Sequence, residues 1–195
     1  MPAQIDLEIL QGSTFDYLLT WYHGQEMRAI TNVTSTAPAV VTAPAHDLPV
    51  NVIPVRIQNV KGMRFPADTL RAQRIDTATF KLLDTDASSL GTYRSGGTLV
   101  YNPPVSLVGY SARMHIRKSL ADTTVILALT DTDGTIVLGG SEGSIQLLVP
   151  PATTKDLTFA SAVYDLELES PTGVVTRLLE GKVTLKKEVT REVAP

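Results

Sequence analysis

Glu167 and Glu169 stand two residues apart in the stretch Ala162–Glu169. On a strand their side chains share a face about 7 Å apart, from two residues at ~3.3 Å rise. That separation suits the acid and base of an inverting glycosidase. No residues of a cleft are identifiable around them, however, and a solvated strand face gives the same alternation. Asp131-Thr132-Asp133-Gly134 has the opening of a calcium loop. It lacks the third oxygen ligand before the glycine and the later Glu that such a loop needs, whereas Asp-Gly between strands makes a tight hairpin turn. His23, His46 and His115 are far apart and lack ligand spacing. Ser13, Ser111 and Ser144 lie near glycines without forming a Gly-x-Ser-x-Gly elbow. Gly139, Gly140 and Gly143 follow a strand without opening a helix, so they cradle no phosphate. These readings predict no catalytic residue, no cofactor site and no metal site, and so no enzyme.

Charge patterning is more informative. Arg113, His115 and Arg117 alternate along one stretch, and Asp165, Glu167 and Glu169 along another. If the two strands are neighbours, the stripes form cross-strand ion pairs of a few tenths of a kcal/mol each. If they are apart, the stripes are opposite-sign patches suited to neighbouring subunits. These six residues are the candidates for partner contact.

The elements that must position them follow from pattern and composition. The chain has 195 residues, 43% hydrophobic and 19% charged, which places it among globular proteins. A net charge of −3 offers no handle for nucleic acid. The absence of cysteine excludes disulfides and thiolate chemistry and fits synthesis in a reducing cytoplasm. No apolar run approaches the ~20 residues of a spanning helix, so no membrane partner is expected. The opening MPAQIDLEIL has neither the basic start nor the apolar core of a signal peptide.

Period-2 alternation recurs throughout. Tyr164, Leu166 and Leu168 alternate with Asp165, Glu167 and Glu169, a turn follows at Ser170–Gly173, and Val174–Glu180 returns. Gly181 then interrupts, and Val183 and Leu185 mark a third strand, giving a meander with one apolar face. Ile5, Leu7 and Ile9 form a first strand, Gln11-Gly12-Ser13 breaks it, and Phe15, Tyr17, Leu19 and Trp21 form a second. This reads as a hairpin-like opening whose aromatics are core. Residues 31–50 are rich in Thr, Ala, Val and Pro, and short strands follow, with Pro54 demoting its strand to an edge or a bulge. Pro151–Leu157 holds one helical turn, with Pro early and Thr as a cap. The fold class expected is all-β: a β-sandwich of residues 1–28 plus 103–195. A small β-barrel or sandwich domain, 29–102, is inserted at a hairpin tip.

Several stretches carry a resemblance. IDLEILQGSTFDYLLTW, GYSARMHIRKSLADTTVILALT, TIVLGGSEGSIQLLV and AVYDLELESPTGVVTRLLEGKVTLKKEVTR resemble a family of small tailed-bacteriophage virion proteins, encoded among tail or baseplate genes. The inserted part, with VVTAPAHDLP, PVRIQNVKGM and TFKLLD, resembles a β module widespread in phage tail proteins. That module is named after the first catalytic cysteine half-domain of ubiquitin-activating enzymes, and the name implies no ubiquitin chemistry. Its usual His-Gly-Leu stands here as His46-Asp47-Leu48. Asp tolerates left-handed backbone, so the turn is expected to persist.

The resemblance implies a non-enzymatic structural role in the virion, assembled in the bacterial host cytoplasm. It implies an adaptor that joins tail or baseplate components and anchors receptor-binding fibres. The partners implied are other tail, baseplate or neck proteins, fibre proteins, and further copies in a homo-oligomeric ring. The alternatives are a head or neck decoration protein, or a carbohydrate-binding module with Trp21, Tyr93 or Tyr101 as stacking platform.

Overall fold

The computed structural model describes residues 1–189, and the fold is all-β and sandwich-like. The chain forms two compact units, one of Met1–Thr20 with the chain from Leu107 onward, the other Trp21–Ser106. β1 (Ala3–Gln4), β2 (Leu7–Leu10) and β3 (Phe15–Thr20) begin the first unit. The second unit holds β4 (Glu26–Ala29), β5 (Asn32–Val33), β6 (Ala39–Thr42), β7 (Ile53–Gln58), β8 (Lys61–Met63), β9 (Leu70–Arg74), β10 (Thr79–Leu82), β11 (Gly91–Ser95) and β12 (Thr98–Tyr101). The chain returns to the first with β13 (Ser111–Arg117), β14 (Leu127–Thr130), β15 (Ile136–Leu138), β16 (Ser144–Val149), the short helix α1 (Pro151–Lys155), β17 (Ser161–Glu169) and β18 (Val175–Lys186). The boundaries at 28/29 and 102/103 therefore fall inside the second unit. β4 pairs with β12 along its whole length, from Glu26 opposite Tyr101 to Ala29 opposite Thr98.

The first unit has two sheets, β1-β18-β17-β13-β14 with β2 also on β18, and β15-β16-β3. Alternation sets their faces. β17 buries Ala162, Tyr164, Leu166 and Leu168, β13 buries Ala112, Met114 and Ile116, and β16 buries Ile145, Leu147 and Val149. Each fully buried aliphatic side chain contributes about 1.5–3 kcal/mol relative to exposure, so these rows hold the sheets together and leave the alternate residues wet.

Three local features depart from the alternation pattern and the capping expected of the sequence. β2 and β3 form no hairpin: β2 runs parallel to β18 and β3 antiparallel to β16, in different sheets. After β2 the Gln11 N–H donates to the Lys186 carbonyl, and its side-chain amide donates to the Leu157 carbonyl at 2.8 Å, which draws the chain onward instead of back. Gly181 does not interrupt a strand either, because β18 runs twelve residues through it. A Cβ at Gly181 would collide with the Ile5 carbonyl oxygen, so the glycine lets the β1–β2 connection lie against the strand. The Tyr164 hydroxyl donates to the same carbonyl at 2.8 Å, and the Lys182 N–H donates to Asp6 Oδ1 at 2.9 Å. Finally, α1 forms with proline at its start, but no threonine caps it. Thr154 is buried instead and donates to the Ser13 carbonyl at 2.7 Å.

In the second unit the sheet order is β4-β12-β7-β9-β10-β6-β5. Its two outermost strands, β4 and β5, are separated only by Ile30 and Thr31. The Ile30 N–H donates to Gly97 on one side and the Thr31 N–H to Thr42 on the other, so the sheet curls round and closes as a small barrel. Phe80, Leu82, Leu99 and Leu48 fill it. Pro54 lies in β7, which is internal, with β12 on one side and β9 on the other. The ladder to β12 begins only at Val55, one residue later, so the missing N–H costs no bond to that strand. Asp47 takes φ +47°, the left-handed turn expected of it.

Candidate functional site

β13 and β17 are antiparallel neighbours, and their register decides between the two readings of the charged stripes. Arg113 stands opposite Glu167, His115 opposite Asp165 and Arg117 opposite Val163. The stripes therefore face one another within one sheet of the first unit. Arg113 donates through Nη2 at 2.9 Å and Nε at 3.1 Å to Glu167 Oε2, and through Nη1 at 3.4 Å to Glu169. Arg117 takes no part in these pairs. Its Nη1 donates to the Asp122 carbonyl at 3.2 Å.

The pattern continues onto β18. Arg177 lies 3.1 Å from Asp165, 3.5 Å from Glu167 and 3.5 Å from Glu180. These carboxylates, Asp165 first, hold the Arg177 guanidinium above its ordinary range. Glu180 also accepts from the Gln4 side-chain amide on β1. A connected polar network thus runs across β13, β17, β18 and β1. Its members are partly exposed, Arg113 at 47% and Glu167 at 23% of side-chain surface, so each pair is worth at most about 1 kcal/mol.

Arg177 and Glu180 were illegible from alternation because they are three residues apart. A β-bulge explains their shared face. Leu166 pairs with Leu179 and Glu167 with Arg177, which leaves Leu178 as the extra residue and shifts the phase of β18. An arginine on the strand following an acidic stripe was the available signal.

The same face is hollowed to about 800 Å³, lined among others by Asp6, His115, Arg117, Asp165, Arg177 and Lys182. Cations and carboxylates alternate across it. Glu167, which also lines this hollow, and Glu169 do share a face, and Arg113 engages both.

The other sequence candidates resolve separately. Asp133 Oδ1 accepts from the Thr135 N–H at 2.9 Å and hydroxyl at 2.5 Å, contacts that lower its pKa. Asp131 accepts from the Ala112 N–H at 2.9 Å. Asp133 thus holds the turn and Asp131 ties it to β13, but the tight hairpin expected of Asp-Gly does not form, because β14 and β15 belong to different sheets. Among the described residues no group of three or more His, Asp or Glu is placed to hold a metal ion. Likewise, no helix among them is long and apolar enough to cross a membrane. Tyr101 is 2% exposed and its hydroxyl donates to the His46 carbonyl, so it offers no stacking platform. Tyr93 is half-buried with its hydroxyl on the Ile30 carbonyl at 3.2 Å, and Trp21 is half-buried.

The chain matches no family model and no curated protein sequence.

Proposed function

We propose that this chain is a non-enzymatic structural component of a tailed-bacteriophage virion. In this reading it is a tail or baseplate adaptor that joins tail components and anchors receptor-binding fibres. The motif resemblance of its outer stretches supplies the context. The observation that carries the reading is the broad, exposed ion-pair network on the first unit's larger sheet. Exposed pairs contribute little to folding, so their members can re-pair with a neighbour of matching charge at small cost. Arg113, His115, Arg117, Asp165, Glu167 and Glu169 are the proposed contacts, joined by Arg177 and Glu180 on the same face. The free side of β14 at the sheet edge would be covered in the same assembly, which removes an aggregation hazard.

The test is mass spectrometry of purified particles released by a bacterium that encodes the chain. The chain at a fixed ratio to tail proteins supports the proposal, and its absence from particles overturns it. A particle that incorporates the wild type and rejects Arg177→Glu, folded equally well in isolation, would place the contact on this face.

A further inference from the structure

His46 is fully buried in the barrel of the second unit. Its Nδ1 accepts the Leu48 N–H at 3.0 Å, which fixes the neutral ring with its proton on Nε2. That Nε2 has no hydrogen-bond partner, and the ring packs edge-on against Phe80 at 5.5 Å; the Thr79 backbone favours the charged ring, but less than burial disfavours it. A second proton would have to go on Nδ1, where it would point at the Leu48 N–H, donor against donor. Burial, together with the nearby Arg74, disfavours the charged ring and lowers its pKa below the ordinary value of 6.5.

The groups around the ring leave little to compensate that charge. Arg74 donates to the Leu48 carbonyl at 3.3 Å and adds like charge. Asp76 attracts the charge, but its carboxylate is occupied by the Ala78 and Thr79 N–H groups and the Thr79 hydroxyl. Asp47 lies 3.7 Å from Arg28, which pairs in turn with Glu26, and the Tyr101 hydroxyl is spent on the His46 carbonyl. Ala45 and Asp47 also sit at positive φ, so the turn persists only while these contacts hold it.

We propose that His46 is an acid-sensitive latch: its protonation releases the turn at residues 45–48 and opens that end of the barrel. Leu48 is buried in the closed turn, so release would uncover it beside Val50 and Val52, which are already exposed. The sign is set by linkage. Above about pH 6.5 both forms are neutral and the latch is fully closed. As pH falls below that value the open form binds the proton first, so closure weakens until the pKa of the closed form is passed.

Hydrogen exchange of the Leu48 amide in the full chain, corrected for intrinsic rate and followed from pH 8 to pH 4.5, tests this. The opening equilibrium should rise about tenfold per pH unit within the window, while amides of the first unit stay protected. In His46→Gln, which keeps an acceptor and cannot be protonated, Leu48 protection should not change with pH. Nitrogen-resolved spectra of the wild-type imidazole decide the matter even if that variant fails to fold. A neutral ring that ionises as Leu48 exposes supports the latch. Unchanged Leu48 protection down to pH 4.5, or ionisation of the ring with the turn still closed, overturns it.

Discussion

Arg113 and Glu167 face each other across β13 and β17, with two guanidinium nitrogens on one carboxylate oxygen at 2.9 and 3.1 Å. This relationship turns two stripes, each of one sign in the sequence, into a single face that neutralises itself. Because the face needs no partner to satisfy its charges, it can stay exposed on an isolated chain. Because the pairs are solvated, it can also exchange them with a neighbour.

Weak coupling is the first expected outcome. Arg113→Ala and Glu167→Gln should each lower stability by less than about 1 kcal/mol, with a double-mutant coupling of a few tenths. Urea unfolding of the four chains in low and high salt measures it, and the coupling should shrink as salt rises. A coupling of several kcal/mol would mean the network is part of the fold's support and not a spare surface.

Gly181 should be far less tolerant. A Cβ there collides with the Ile5 carbonyl, a backbone group that cannot rotate away, and the β1–β2 connection has to move. Gly181→Ala should cost about 1–3 kcal/mol and loosen the hold of Asp6 on the Lys182 amide. A urea titration gives the first quantity, and exchange of the Lys182 amide, held by Asp6, reports the second. Wild-type stability in this variant would show that the connection shifts freely.

Tyr101→Phe tests the barrel from another side. The substitution leaves the buried His46 carbonyl without its donor and should cost about 1–3 kcal/mol. The second unit of the wild type should also show an alkaline dependence greater than that of the variant, while the buried Tyr164 keeps its own in the first unit. Burial pushes the Tyr101 hydroxyl up to about 12, against an ordinary value near 10. The unfolded phenol therefore ionises first, and stability present below pH 10 is lost as pH rises toward 12. The single tryptophan, Trp21, belongs to the second unit and gives a fluorescence probe for this transition.

Strand content and the buried faces of β13, β16 and β17 were legible because period-2 alternation is a local signal, and their inward residues are those the pattern names. Pairing was not. Residues 5–21 alternate as a hairpin does, yet β2 and β3 join different sheets, because their partners lie over a hundred residues away. Gly181 looked like a break since a glycine required by a turn and one required by a close approach look the same in sequence. The six charged candidates were readable as two stripes, but their meeting depended on register. Arg177 and Glu180 were hidden by the bulge at Leu178, which no alternation rule anticipates. The left-handed backbone at Asp47, by contrast, was readable from the residue type, whereas that at Ala45 in the same turn was not.

Membership of a virion tail, as proposed above, has a direct test. Immunogold electron microscopy of particles from the encoding phage or induced prophage, with antibody to the purified chain, addresses it most directly. Label at the distal tail or the base of the fibres is the expected result. Label confined to the head or collar would contradict the adaptor role, and no label on intact or disrupted particles would contradict the virion assignment altogether.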